Sequence, residues 1–256
     1  MARNPEREME LWEHLAELRG RIFRSLLYVA VGMVICWLFY YDLRSFLEAP
    51  LRQVLGKDLQ FLYTNVTQPF MVRMQISLVA GLILALPLIT LEMWGFVAPG
   101  LTPEEKKGFH VVVPLSILFF LMGVTTAYVI LPNAFRWFVS FLEAGEKLEQ
   151  NPLQYIVFVV KMMLAFGIVF QLPVVLMFLA WIGLVTSQML KENWRTALVL
   201  TSVLGAVATP SQDAFSMVLM ALPLAGLYFA SIWLVGMVER MRSRQALQES
   251  AGMGTP

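Results

Sequence analysis

Residues 111–135 read VVVPLSILFFLMGVTTAYVILPNAF, with no Asp, Glu, Lys or Arg from end to end. At ~1.5 Å per residue such a helix rises about 38 Å, more than the ~30 Å hydrocarbon core of a bilayer. The run lacks the period-two alternation of a lipid-facing β-strand. It reads as a membrane-spanning α-helix. Working outward, further charge-free windows cover 25–41, 74–91, 162–190, 196–212 and 214–238. The fourth hydrophobic stretch begins near Leu153 and contains Lys161. The fifth is diluted by Thr201, Ser202 and Gly205, and its length of about 26 Å falls short of the core. The reading is an all-α integral membrane protein with six transmembrane helices, near 22–41, 70–92, 110–132, 153–182, 195–211 and 213–237. Residues 1–242 form one membrane domain, and 243–256 (SRQALQESAGMGTP), lacking an apolar pattern, are expected to be a disordered tail.

Composition agrees. Of 256 residues, 58% are AVILMFWYC and 14% are charged, against roughly 45–50% apolar, glycine included, in soluble domains. Nineteen Lys and Arg with 18 Asp and Glu are too few to coat a soluble globule of this size. A net charge of +1 gives no electrostatic basis for a nucleic-acid partner. One cysteine, Cys36, cannot form an intrachain disulfide, and two histidines beside it argue against a His/Cys metal site.

The scarce charges set the orientation. With the N-terminus in the cytoplasm, inside segments hold Arg3, Arg7, Arg19, Arg21, Arg24, Lys106, Lys107, Lys191, Arg195, Arg240, Arg242 and Arg244. Outside loops then hold Arg44, Arg52, Lys57, Arg136 and Lys147. This excess inside predicts both termini on the cytoplasmic face. The first span follows a segment rich in Arg and Glu and is longer than a signal-peptide core, so it is expected to be retained. Arg73 and Lys161 are expected to snorkel to the outer interface.

No GxxxxGK[ST], HExxH or GxSxG stretch occurs, so the chain is read as a binding scaffold, not an enzyme, with no cofactor. No span carries a midplane carboxylate, which disfavours a proton pump. A small-molecule secondary transporter is the alternative, but it predicts an internal repeat and midplane polarity. Neither is seen beyond Gln171.

Candidate functional residues lie at the span ends. In ELWEHLAELRGRIFRSLL, Leu11, Leu15, Leu18 and Ile22 recur at helical spacing, with Glu17 and Arg21 off the stripe. This is either an interfacial helix with an i,i+4 ion pair, or a helix presenting the Glu17 carboxylate to a ligand. Thr102, Pro103 and Glu105 fit a capping box for the third span. Glu17 and Glu105 fall on the same membrane side, and carboxylates there suit a guanidinium ligand. Gln171, two residues before the kink-forming Pro173, needs a hydrogen-bond partner in hydrocarbon. That partner is a helix of this chain or of another. Ser211 or Thr209 can cap the last helix, with Asp213 in its first turn.

Several stretches resemble the TatC family, the multi-spanning core of the twin-arginine protein translocase. They are HLAELRGR (14–21), LEAPL (47–51), EMWGFVAPGLTPEEKK (92–107), GVTTAYVILP (123–132), AFGIVFQLPVVL (165–176) and TPSQDAFSMVLMALPL (209–224). The resemblance implies a cupped six-helix bundle with short fifth and sixth helices in the bacterial inner membrane. It implies binding of paired-arginine signal peptides of folded cargo, driven onward by the proton-motive force. Implied partners are single-span TatA and TatB type proteins and other copies of the chain. By motif, Glu17, Arg19, Phe96, Leu101 and Glu105 fall in the signal-peptide recognition regions. Pro50, Tyr128, Gln171, Asp213 and Met217 fall at structural or partner-contacting positions. Many members have Glu where this chain has Gln171. The side chain here is neutral and cannot act as a membrane-embedded acid.

Overall fold

The computed structural model describes residues 5–56, 61–97, 103–143, 148–208 and 214–252. Among them, regular structure is helical. In chain order the helices are α1 (Pro5–Leu38), α2 (Tyr40–Leu55), α3 (Gln68–Val97), α4 (Pro103–Val139), α5 (Pro152–Val169), α6 (Leu172–Trp181), α7 (Ser187–Glu192), α8 (Trp194–Ala208) and α9 (Ala214–Gly252). An isolated β-bridge joins Phe61 to Gln150.

Among the described residues five segments are long and apolar enough to cross a bilayer: His14–Leu38, Gln68–Phe96, Val112–Val139, Pro152–Trp181 and Ala221–Met241. The expected fifth span corresponds to α8, only 15 residues and so about 22 Å long. The apolar span of the last helix is the shortest of the five, 21 residues, but the helix itself runs on beyond it. It has 39 residues, because the helix-favouring Ala, Leu, Gln, Glu and Arg beyond Met241 continue it past the apolar window. Residues 243–252, expected as an unstructured tail, belong to it. The expected interfacial helix is not separate either, since α1 runs unbroken from Pro5 into the span. Nothing in LWEHLAELRGRIF breaks a helix, and Gly20 alone does not stop it.

The chain divides into two compact units, one of 1–49, 60–109 and 149–156, the other of 50–59, 110–148 and 157–256. In the first, α1 packs along α3. The closest approach is at Gly32 and Gly81, where a Cβ on Gly32 would lie 2.6 Å from the Gly81 carbonyl oxygen. Small residues let helix backbones meet where lipid supplies no hydrophobic drive. Near the α2 end of the pair, the Arg73 guanidinium lies over the rings of Trp37 (4.5 Å) and Tyr40 (5.0 Å) and donates to the Trp37 carbonyl. Arg73 is thus held by aromatic faces as well as placed near a span end.

The outside segment between the first two expected spans, which holds Arg44 and Arg52, contains most of α2. The polar residues of this helix leave no charge-free window to mark it. Arg44 Nε donates to Glu48 Oε1 at 2.6 Å, one turn on, and the guanidinium stands over the Phe61 ring. Burial alone would lower the Arg44 pKa, but the Glu48 bond and charge, with the Tyr40 hydroxyl, outweigh it and raise the value. The buried Tyr155 hydroxyl donates to the Leu47 carbonyl at 2.6 Å and ties the start of α5 to α2. Pro50, inside α2, supplies no amide hydrogen to the helix at this turn.

In the second unit α4 meets the fourth stretch across Gly123 and Gly167, whose missing side chains admit the Phe166 backbone and the Phe120 ring. The expected kink before Pro173 is present: α5 ends at Val169 and α6 begins at Leu172.

Candidate signal-peptide site

Glu17 lies on α1, one turn before Arg21. Arg21 donates from Nη2 (2.6 Å) and Nε (3.0 Å) to the same oxygen, Glu17 Oε1. The i,i+4 pair read from spacing is therefore formed. Glu17 Oε2 has the His14 imidazole nearby, at 3.9 Å. The His14 ring stacks on Phe96 at 4.2 Å and 19°. This brings two expected residues, Glu17 and Phe96, to one place through His14. Arg19 is exposed and lines a separate shallow groove with Trp12, Leu15 and Phe23.

A residue that sequence reading missed organises the site. Glu92, in the last turns of α3, receives Arg21 Nη1 (3.2 Å) and Arg24 Nη2 (3.0 Å) on Oε2. Its Oε1 lies 2.9 Å from Arg24 Nε as an ion pair and receives the Tyr28 hydroxyl (3.2 Å). Arg21 also donates to the carbonyls of Glu92 and Gly95. Gly95 leaves room for this arrangement, because a Cβ there would displace the Arg21 guanidinium. Side-chain exposure falls from 34% at Glu17 to 14% at Glu92, so Glu92 anchors and Glu17 is presented. The sequence carried one cue: Glu92 is the first charge after the window 74–91.

Leu101 lies outside the described residues, as do Thr102, Thr209, Ser211 and Asp213. The backbone of Glu105 lies in the first turn of α4, and its side chain is outside the described set. Pro50 is buried inside α2. Tyr128 is half-buried on α4. Met217 is half-buried on α9, and its carbonyl would lie 3.8 Å from a Cβ on Gly205 of α8. Gln171 finds its partner within this chain: the Ser116 hydroxyl donates to Oε1, and Nε2 donates to the Ser116 carbonyl at 3.0 Å. Gln171→Leu is expected to lower thermal stability in detergent by about 1 kcal/mol, the range of a polar interhelical bond in membranes. A melt superimposable on wild type would refute it.

Comparison with known proteins reaches the same family as the motifs. The family described as Sec-independent protein translocase protein (TatC) matches residues 13–223. A Sec-independent protein translocase protein TatC of Magnetococcus marinus is 35% identical, over 96% of this chain and 91% of that protein. One from Desulforapulum autotrophicum is 39% identical, over 89% and 84%. A solved structure, the twin arginine translocase receptor TatC, is 32% identical and superposes with a TM-score of 0.73, over 88% of this chain and 99% of that one. On a family match across most of its length, relatives aligned over most of both chains and a shared helical fold, this chain belongs to the TatC family of multi-pass membrane proteins, a family of translocase proteins and not of enzymes.

Proposed function

We propose that this chain is the receptor subunit of a twin-arginine translocase. It binds paired-arginine signal peptides of folded cargo at its cytoplasmic face. With TatA and TatB type single-span proteins and further copies of itself, it supports export driven by the proton-motive force. Its place is the bacterial cytoplasmic membrane, with both termini inside, as the excess of basic residues in the inside segments favours.

The observation that carries this reading is the state of Glu17. Arg21 occupies one carboxylate oxygen and leaves Oε2 to the solvent side. An incoming guanidinium can take that oxygen while Arg21 holds the carboxylate in place. The His14–Phe96 stack beside it offers an apolar face to the rest of the peptide. Glu105 is the proposed second carboxylate, with Arg19 and Leu101 assigned to the recognition regions by motif. Pro50, Tyr128, Asp213 and Met217 are proposed as structural or partner-contacting positions. Gln171 joins them as a neutral hydrogen-bonding group.

The test is photocrosslinking of a twin-arginine peptide to the full chain in membranes. Glu17→Gln and Glu105→Gln are each expected to reduce crosslinking by up to roughly fivefold, the upper range of one exposed charge pair. The loss should shrink as salt is raised, because wild-type binding is then screened. Unchanged crosslinking in both folded variants would overturn the assignment.

A further inference from the structure

One face of α9 is open along a groove walled by the α7–α8 corner. Phe229, Trp233, Met237 and Arg240 follow one another along it at helical spacing. Across from them stand Lys191 and Trp194. The walls are close: a Cβ on Gly236 would meet the Ser187 Cβ at 3.8 Å. Phe229 to Arg240 covers about 16 Å at ~1.5 Å per residue. That matches one leaflet's share, about 15 Å, of the hydrocarbon core. The apolar floor ends where the span ends, at Met241; Arg240 stands at that end, and Lys191 lines the facing wall.

The groove also contains a carboxylate, but it is turned away. Glu239 Oε1 receives the Ser187 amide at 2.9 Å and Oε2 receives the Ser187 hydroxyl. Glu192 is engaged by Gln188. Lys191 and Arg240 are exposed and form no ion pair with any described residue. Trp194 and Trp233 are 41% and 66% exposed, as suits indoles at a membrane interface.

We propose that this groove binds an anionic phospholipid, with the phosphate between Lys191 and Arg240 and an acyl chain along Phe229, Trp233 and Met237. A free phosphate would meet the cations and leave the apolar floor uncovered. An apolar partner helix would cover the floor and leave two cations unmet. A phospholipid satisfies both ends, and basic pockets between transmembrane helices are established phosphate headgroup sites.

The experiment is native mass spectrometry and thermal melting of the purified full chain, with phosphatidylglycerol, phosphatidylcholine or inorganic phosphate added. Phosphatidylglycerol is expected to stay bound and to raise Tm, and phosphatidylcholine to do neither. The double substitution Lys191→Gln with Arg240→Gln should weaken phosphatidylglycerol binding by about 25-fold, from two surface cations acting on one phosphate. Both side chains are exposed, so folding should survive. Lys191→Arg with Arg240→Lys should retain binding. Equal binding of the two lipids, an unaltered double Gln variant, or a Tm rise reproduced by inorganic phosphate would each overturn the proposal.

Discussion

Replacing Gly81 by leucine is expected to abolish the folded state, and replacing it by alanine to cost about 2–3 kcal/mol. A Cβ on Gly81 would lie 2.7 Å from the Gly32 carbonyl carbon and 2.7 Å from the Met33 Cα. These are backbone atoms of α1, so no rotamer change relieves the clash. The helices must part along their whole contact. Overpacking typically costs about 1–3 kcal/mol, and more where nothing can give. Helix propensity works the other way, favouring Ala over Gly by about 1 kcal/mol, so destabilisation by Ala would show that packing wins. Gly226→Ala is the control. A Cβ there meets nothing within 4 Å, and the change should be neutral or slightly stabilising. Size-exclusion and melting profiles in detergent read both variants. A Gly81→Ala protein as stable as wild type would refute the close approach of α1 and α3.

The second large effect is expected at Glu92. Glu92→Ala should cost about 3 kcal/mol and Glu92→Gln about 2 kcal/mol. Removing one partner of a largely buried ion pair leaves the others uncompensated. Here Arg21 at 19% exposure and the Tyr28 hydroxyl both lose their acceptor. Arg21 would keep Glu17 and two carbonyls, which limits the loss. Glu17→Gln should cost under about 1 kcal/mol, as a more exposed pair. The ordering of the three melts is the test. A Glu92→Gln variant more stable than Glu17→Gln would mean that Glu92 does not anchor the site.

What the sequence made legible followed from its physics. Charge-free runs of roughly 20 residues have few alternatives to a membrane helix, so the long spans were readable. Pro173 announced the break between α5 and α6, because proline removes a helix bond wherever it falls. The i,i+4 spacing of Glu17 and Arg21 was enough to foresee their pair. Glu92 was not legible as an anchor, because its arginine partners are 71 and 68 residues away and only the packing of α1 on α3 joins them. Helix α2 was missed for a different reason. Its polar residues pair within the helix, as Arg44 does with Glu48, and an amphipathic segment leaves no charge-free window. Gln171 declared a need for a partner, but only the register of α4 against it names Ser116.

The contact of α1 with α3 has a kinetic consequence. The two helices are tied at four levels: His14 on Phe96, Arg21 to Glu92, Gly32 against Gly81, and Arg73 over Trp37. Residues between such ties cannot open singly, since freeing one turn strains the next tie. Backbone amides of 14–38 should therefore exchange with deuterium as one cooperative block, while the turns before His14, which precede the first tie, exchange by ordinary end fraying.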